Sequence, residues 1–411
     1  MSKYLKKVIV FALIILFCSF IVDTIEITSE KDLAVDIIVV DIKKEVPKIA
    51  LYPKDKTQKV SHKLDSLLKR INKRHDFHGS ILVAHKGKIL FSNEYGYANF
   101  KKKIPIDDKS VFQLASVSKQ FTATAILILN EKKHLSLSDS VTKYFPNFPY
   151  ADVTIKHLLN HTGGLPKYFW IAENKWKSEK APSNFEMMQL MADSDVSRFF
   201  MPGRNFDYSN TGYFVLASII EKISGMNYGQ FLKINIFDPL DMNNSFVYSF
   251  ENDDMKSDQL HGYRLYRGWR HIKIKGTVND AIVGDKNVYS TSEDLYKWMI
   301  GLNSQKIISK ESLQLMYTKG KTKSGRKVPY GLGFRIGTKN DEKVIYHYGK
   351  WNGFSTSISQ YIDSDLLIIV LEHSSYSSMN YLNKAIKNIV DINFDYKTSK
   401  QFITSSNQKA P

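Results

Sequence analysis

The chain has 411 residues, 43% hydrophobic and 24% charged, with 23 Tyr and 24 Phe, a composition that excludes a disordered body and allows one large domain or two medium ones. A net charge of +17 favours anionic surroundings, such as a membrane surface or an acidic wall polymer. The cations are scattered and no nucleic-acid motif occurs, which argues against a nucleic-acid partner.

In chain order, Lys3, Lys6 and Lys7 precede an apolar run from Val8 to Val22, and acids follow at Asp23, Glu26 and Glu30. A basic start before an apolar stretch is the pattern of a signal peptide or signal anchor, and it places the rest of the chain outside the cytoplasm. As a helix the run reaches only about 22 Å against a hydrocarbon core of ~30 Å, which favours cleavage. No small-x-small cleavage site follows, which favours retention on the membrane. Cys18 lies inside this run and is the only cysteine, so the body is expected to have neither disulfides nor thiol chemistry. Residues 23–59, with Pro47, Pro53 and a strand-like "DIIVVDI" at 36–42, read as a spacer or as a strand added to the body.

The body, 60–395, opens on Leu64, Leu67, Leu68 and Ile71 at helical spacing. Two apolar runs then flank His85-Lys86-Gly87-Lys88, a β-hairpin signal. Helical patterns dominate from 118 to about 240, and the 167–200 segment, with Tyr168, Trp170 and Trp176, is expected to wall a cleft or, alternatively, to form a helical cap that buries its aromatics. Strands return in "YGLGFRI", "KVIYHYG", "FSTSISQYI" and "LLIIVLEHS". Strands at both ends with helices between predict an α/β fold of the α+β type. In it, N- and C-terminal strands build one antiparallel sheet, flanked by helices and carrying a helical insert. Residues 396–411 form a polar tail.

No Gly-x-Ser-x-Gly, phosphate loop or dinucleotide fingerprint occurs, and no cofactor is expected. His157 and His161 stand four apart, but a third ligand is missing; they read as a helix end, with His161 bonding a loop carbonyl. Ser-x-x-Lys occurs five times, at Ser66, Ser116, Ser140, Ser324 and Ser406, so the spacing alone carries little. Ser116 differs in heading an apolar helix, whose N-terminus favours an oxyanion. Lys119 lies one turn on, and a desolvated ammonium has a lowered pKa and can help remove a hydroxyl proton. An N-cap serine beside a surface lysine explains those two residues equally well. Tyr208-Ser209-Asn210 adds a phenol, which near two cations can ionise below its free pKa of about 10 and serve as a base, and an amide. His347-Tyr348-Gly349 ends a strand-like run. The glycine there lets a substrate backbone lie along the strand edge, and the Lys350 N–H is a second oxyanion donor beside that of Ser116.

This ordered trio, with "HLLNHTGGLP", "GDKNVYSTSEDLYKW" and "YGLGF" around it, resembles the serine β-lactamase and penicillin-binding-protein superfamily over roughly residues 60–390. The likeness is to its class C-like branch of serine hydrolases. The resemblance implies that Ser116 is acylated, that Lys119 and Tyr208 share the proton transfers, and that Asn210 bonds a substrate amide. It implies a small-molecule or peptide substrate, peptidoglycan-derived compounds included. Where β-lactamases carry a lysine in the third motif, this chain has His347, a weaker clamp for a carboxylate. That departure turns the expectation toward an esterase or amidase on D-amino-acid-containing substrates. The alternative is a catalytically silent penicillin-recognising fold with a binding or scaffolding role in the envelope.

Overall fold

The computed structural model describes residues 49–248, 259–339 and 341–394. The basic and apolar N-terminal segment, the patch at 36–42, the polar tail and Ser406 lie outside these residues. Helix α1, Lys54–His75, begins before the expected domain start and ends at Asp76, which takes a left-handed conformation. Just ahead of it, the Ile89 N–H donates to the Ala50 carbonyl (2.8 Å) and the Tyr52 N–H to the Ile89 carbonyl (3.1 Å). The end of the expected spacer is therefore an added strand segment.

Six strands form the main sheet: β1 Gly79–His85, β2 Lys88–Tyr95, β3 Arg335–Lys339, β4 Glu342–Trp351, β5 Phe354–Tyr361 and β6 Leu366–Glu372. Their order is β3-β4-β5-β6-β1-β2, antiparallel throughout. The two ends of the chain meet at the β6–β1 seam, with Gly79 opposite Glu372 and His85 opposite Leu366. The β1–β2 hairpin turns through Lys86 and Gly87, both at positive φ, the geometry that suits the twist of a two-residue hairpin. Further helices are α2 Lys119–Glu131, α3 Asn210–Ser224, α4 Ser292–Asn303 and α5 Met379–Asn393, with shorter helical pieces between them.

Strand alternation divides the sheet between two layers. Ile81, Val83, Val344, Ile368 and Val370 form one core with Leu64 and Leu68 of α1 and Leu382 and Ile386 of α5. Each such fully buried side chain contributes about 1.5–3 kcal/mol. The other face packs on α4 and on the short 3-10 turn Ala115–Ser118 that leads into α2. Helix α2 is buried from Lys119 to Leu129, its polar residues included. It is a central strut rather than an amphipathic surface helix.

Two sets of short strands gave no periodic signal. Phe112–Gln113, Phe246–Val247 and Val288–Ser290 form a small sheet of two- and three-residue strands, and Tyr263–Tyr266 pairs with Arg270–Lys273 as a hairpin. Runs this short cannot show an alternation.

The 3-10 turn presses on β4 at Gly349, where a Cβ would collide with the Leu114 carbonyl and Thr356 Oγ1 and lie 3.0 Å from the Ala115 Cβ. Gly349→Ala should cost about 1–3 kcal/mol by overpacking and lower the melting temperature by several degrees. An unchanged melting curve would mean the contact is slack.

Candidate active site

From Ser110 to Leu129 every residue is buried except Ser116. The turn that presents it starts at Ala115, which is fully buried at φ 49° without being glycine. Backbone held in that region stores strain, and such strain gathers at functional positions. The residue 288–290 strand brackets the turn: the Leu114 N–H donates to the Val288 carbonyl (2.8 Å), and the Val288 N–H donates to Ser118 Oγ (3.0 Å). Ser118 is thus committed to structure, while Ser116 is presented.

Lys119 is completely buried. Its Nζ lies 3.1 Å from Ser116 Oγ, 2.8 Å from Asn210 Oδ1 and 2.8 Å from the Asp285 carbonyl. Burial brings its pKa down to about 7; the Asp285 carboxylate opposes that shift and Arg335 adds to it. As an ammonium, Lys119 donates to all three oxygens. Once it loses a proton, two N–H groups still satisfy Asn210 and Asp285, which can only accept, and the lone pair is left for Ser116. The first and second motifs therefore meet at one nitrogen.

Tyr208 lies beside them, its ring 4.8 Å from the Arg335 guanidinium and 5.2 Å from Lys119 Nζ, measured to the ring centroid. Its hydroxyl is buried and closes no hydrogen bond, although Ser116 is near enough to ease its ionisation. Desolvation dominates and raises the phenol pKa above its ordinary value, with Ser116 and Arg335 pulling down and Asp285 pushing up. This corrects the expected phenolate: the Arg335 charge does not outweigh burial, and Tyr208 rests as a neutral phenol. His161 pins the loop, accepting from the Ser209 N–H at Nδ1 (3.1 Å) and from the Asp207 N–H at its carbonyl (2.9 Å). The expected ring-to-carbonyl bond is replaced by this one, and burial keeps the imidazole pKa well below 6.5.

The third motif sits differently from its sequence reading. His347 is fully buried, with Nδ1 2.9 Å from the Tyr348 carbonyl and Nε2 3.0 Å from the Tyr330 hydroxyl. The carbonyl can only accept, so Nδ1 carries the proton and Nε2 receives the Tyr330 O–H. Burial, with Lys119 and Arg335 nearby, holds the ring neutral. His347 has no free nitrogen for a substrate carboxylate and is a support, not a clamp. Gly349 likewise makes room for the Ser116 turn rather than for a substrate backbone. On β4, Val344 packs in the α1/α5 core and the Tyr348 hydroxyl bonds Asn380 of α5 (3.3 Å). Alternation puts the exposed Lys350 side chain on that same face, away from Ser116, leaving only its backbone N–H for the site.

Arg335 was not anticipated. It is the first residue of edge strand β3, partly exposed over Tyr208, and makes no ion pair with a described carboxylate. A lone arginine at a strand start has no sequence signature. Beneath the site, the fully buried Asp285 carboxylate accepts from the Tyr168 hydroxyl (3.2 Å to each oxygen) and pairs with buried Lys286 (3.2 Å). Of the aromatics expected to wall a cleft or be buried in a cap, Tyr168 is a core residue, as the cap reading has it, while Trp170 is 52% exposed.

The rival serines have ordinary roles. Ser66 is exposed, with Lys69 paired to Asp65 (2.8 Å). Ser140 caps residues 141–143, with Lys143 paired to Asp139 (2.9 Å). Ser324 bonds Thr322 within a turn (2.9 Å). A cavity of about 520 Å³ lined by Lys180, Asn184, Phe185 and Tyr228 contains none of the motif residues. Chemistry, not volume, locates the site.

Comparison with known proteins agrees with this fold. The chain is 36% identical over 321 residues to penicillin-binding protein 4* of Bacillus subtilis (strain 168), covering 75% of this chain and 71% of that one. Among solved structures, the octameric penicillin-binding protein homologue from Pyrococcus abyssi superposes with a TM-score of 0.68 at 29% identity, over 78% of this chain and 75% of that one. The D-amino acid amidase from Ochrobactrum anthropi SV3 shares the fold at 21% identity, with a TM-score of 0.65 over 84% of this chain and 99% of that one. The profile described as Beta-lactamase matches residues 64–391, and the chain belongs to that family.

Proposed function

We propose that this protein is a serine hydrolase that forms an acyl-enzyme at Ser116 and cleaves amide or ester bonds of D-amino-acid-containing envelope compounds. The observation that carries the reading is the buried Lys119 amine, 3.1 Å from the one partly exposed residue of a buried segment. Neutral Lys119 takes the Ser116 proton as Oγ attacks the carbonyl carbon. The Ser116 N–H, which has no acceptor within the first turn, and the Lys350 N–H stabilise the oxyanion. Tyr208 donates its proton to the leaving amine or alkoxide, and the Lys119 ammonium restores it. Water, activated by the same neutral amine, then releases the acid and frees Ser116. Asn210 holds Lys119 through its oxygen, and its amide nitrogen, unbonded among the described residues, is the group left for a substrate carbonyl. No cofactor enters this scheme.

Arg335 takes the place of the missing lysine as the partner of a substrate carboxylate, since a guanidinium pairs bidentately and keeps its charge. The relative's name as a penicillin-binding protein supports a carboxylate-bearing acyl donor, peptidoglycan-derived peptides being the natural class. The basic and apolar N-terminal segment supports a site of action outside the cytoplasm, on or near the membrane. Among the described residues no helix is long and apolar enough to cross a membrane.

Three measurements test this reading. Ser116→Ala should abolish labelling by a fluorescent penicillin and lower p-nitrophenyl ester hydrolysis by at least ~10³-fold. A wild-type chain that neither labels nor hydrolyses would point to the silent, scaffolding fold instead. The base is neutral only above its pKa, so kcat/KM should level off above pH about 7 and fall about tenfold per unit below it. Tyr208→Phe should slow turnover without moving that midpoint; a moved midpoint would make the tyrosine the base. Assayed on the alkaline plateau, where Lys119 is neutral with or without the guanidinium, Arg335→Ala should raise KM roughly 10–100-fold for substrates with a free carboxylate and leave carboxylate-free esters nearly unchanged. Equal losses on both substrates would remove Arg335 from carboxylate binding.

A further inference from the structure

The hairpin Tyr263–Tyr266/Arg270–Lys273 takes no part in the site, yet it is firmly mounted. The Tyr263 N–H donates to the His373 carbonyl (2.8 Å), and Ser375 Oγ donates to the Tyr263 carbonyl (2.7 Å). The His271 ring stacks on Phe100 at 3.6 Å and meets Asp76 at 2.7 Å. Asp76, His78 and His271 have the composition of a metal site, with ligand atoms within 4.8 Å of one another. The Tyr97 N–H, however, donates to His78 Nδ1 (3.0 Å), so His78 Nε2 carries its proton and donates to Asp76 (2.9 Å). That nitrogen has no lone pair to offer a metal, and the trio is a clasp for the hairpin root.

The tip has the opposite character. Trp269, 73% exposed, is the most exposed large apolar side chain among the described residues, and Leu265 and Tyr266 are exposed beside it. Arg264, Arg267 and Arg270 surround them and Lys273 lies nearer the root, opposite Tyr263, all exposed, and no Asp or Glu occurs from residue 260 to 279. None of these four cations forms an ion pair with a described residue; the Arg264 and Arg267 guanidinia lie 5.8 and 5.2 Å from the Tyr266 ring centroid. A rigid root below a tip of aromatic rings and single-sign charge suits neither plain solvation nor a protein core. It suits a headgroup layer, where Trp and Tyr rings settle and guanidinia meet lipid phosphates. A soluble polyanion would satisfy the cations but leave Trp269 and Leu265 in water. The apolar run at 8–22 in the same sequence puts a bilayer within the chain's reach.

We propose that this hairpin tip docks on a bilayer surface containing anionic phospholipids, with Trp269 at headgroup depth and the arginines on the phosphates. The inference is independent of what Ser116 acts on. The test uses the full chain with vesicles whose acyl chains carry bromine, either phosphatidylcholine alone or with phosphatidylglycerol added. The readout is Trp269 itself, because the N-terminal segment governs overall partitioning. Tryptophan fluorescence should be quenched on the anionic vesicles, and Trp269→Phe should lose that quenching while keeping the wild-type melting temperature. Arg267→Ser with Arg270→Ser should lose it as well. Absence of any Trp269-dependent quenching would overturn the proposal, and equal quenching on phosphatidylcholine alone would overturn its anionic part. A Trp269 emission shift with a soluble phosphodiester polymer, and none with vesicles, would assign the tip to a wall polymer instead.

Discussion

The structure turns on one buried amine. Lys119 has no carboxylate against it; two neutral oxygens, on Asn210 and the Asp285 backbone, and one hydroxyl meet it, and its own side chain is fully buried. An ammonium so placed loses its hydration and is only partly repaid by dipoles, which is why its pKa falls toward neutrality. Holding it there requires three elements to converge: the start of α2, the start of α3 and the 284–288 segment. The Thr122 hydroxyl donates to the Gly284 carbonyl (2.5 Å) and Tyr213 bridges to Gly333 (2.9 Å), so the same helices that bury the lysine fix its neighbours. Asp285 has a double part, its carbonyl bonding Lys119 while its carboxylate, paired with Lys286 and Tyr168, tempers the shift from below.

The second constraint is the alternation of β4. Odd-numbered positions carry His347 and Gly349 toward the Ser116 turn, and even-numbered ones carry Val344, Tyr346 and Tyr348 toward α5. Once Gly349 has admitted the turn, the side chain two residues earlier is buried and must be neutral. Tyr330 and the Tyr348 carbonyl complete its hydrogen bonds. The fixed cation beside Ser116 and Tyr208 comes instead from the neighbouring edge strand, as Arg335. Its charge also lowers the pKa of Lys119 and His347, so the guanidinium and the buried amine share one electrostatic field.

Much of this was legible in the chain. The α1 stripe of Leu64, Leu68 and Ile71, the Lys86-Gly87 turn and the C-terminal apolar runs have periodicities long enough to read, and their sheet forms as expected. The three motifs could be ordered, and Ser116 told from Ser66, Ser140 and Ser324, because the setting of each serine is local. Burial was not legible. Tyr208 and His347 have the letters of a base and a clamp, but whether a phenol or imidazole ionises depends on groups more than a hundred residues away. The hairpin at 263–273 was invisible for another reason: four-residue strands under a cluster of arginines look like a polar loop.

Hydrophobic period and motifs in fixed order carry the layered α/β architecture and the likeness to the β-lactamase family, and they single out Ser116 as the candidate nucleophile. The tertiary structure alone decided the protonation states: a lysine near neutrality, a tyrosine and a histidine that stay uncharged, and an arginine brought in from an edge strand. Desolvation and charge proximity act through space, and only the folded chain sets those distances.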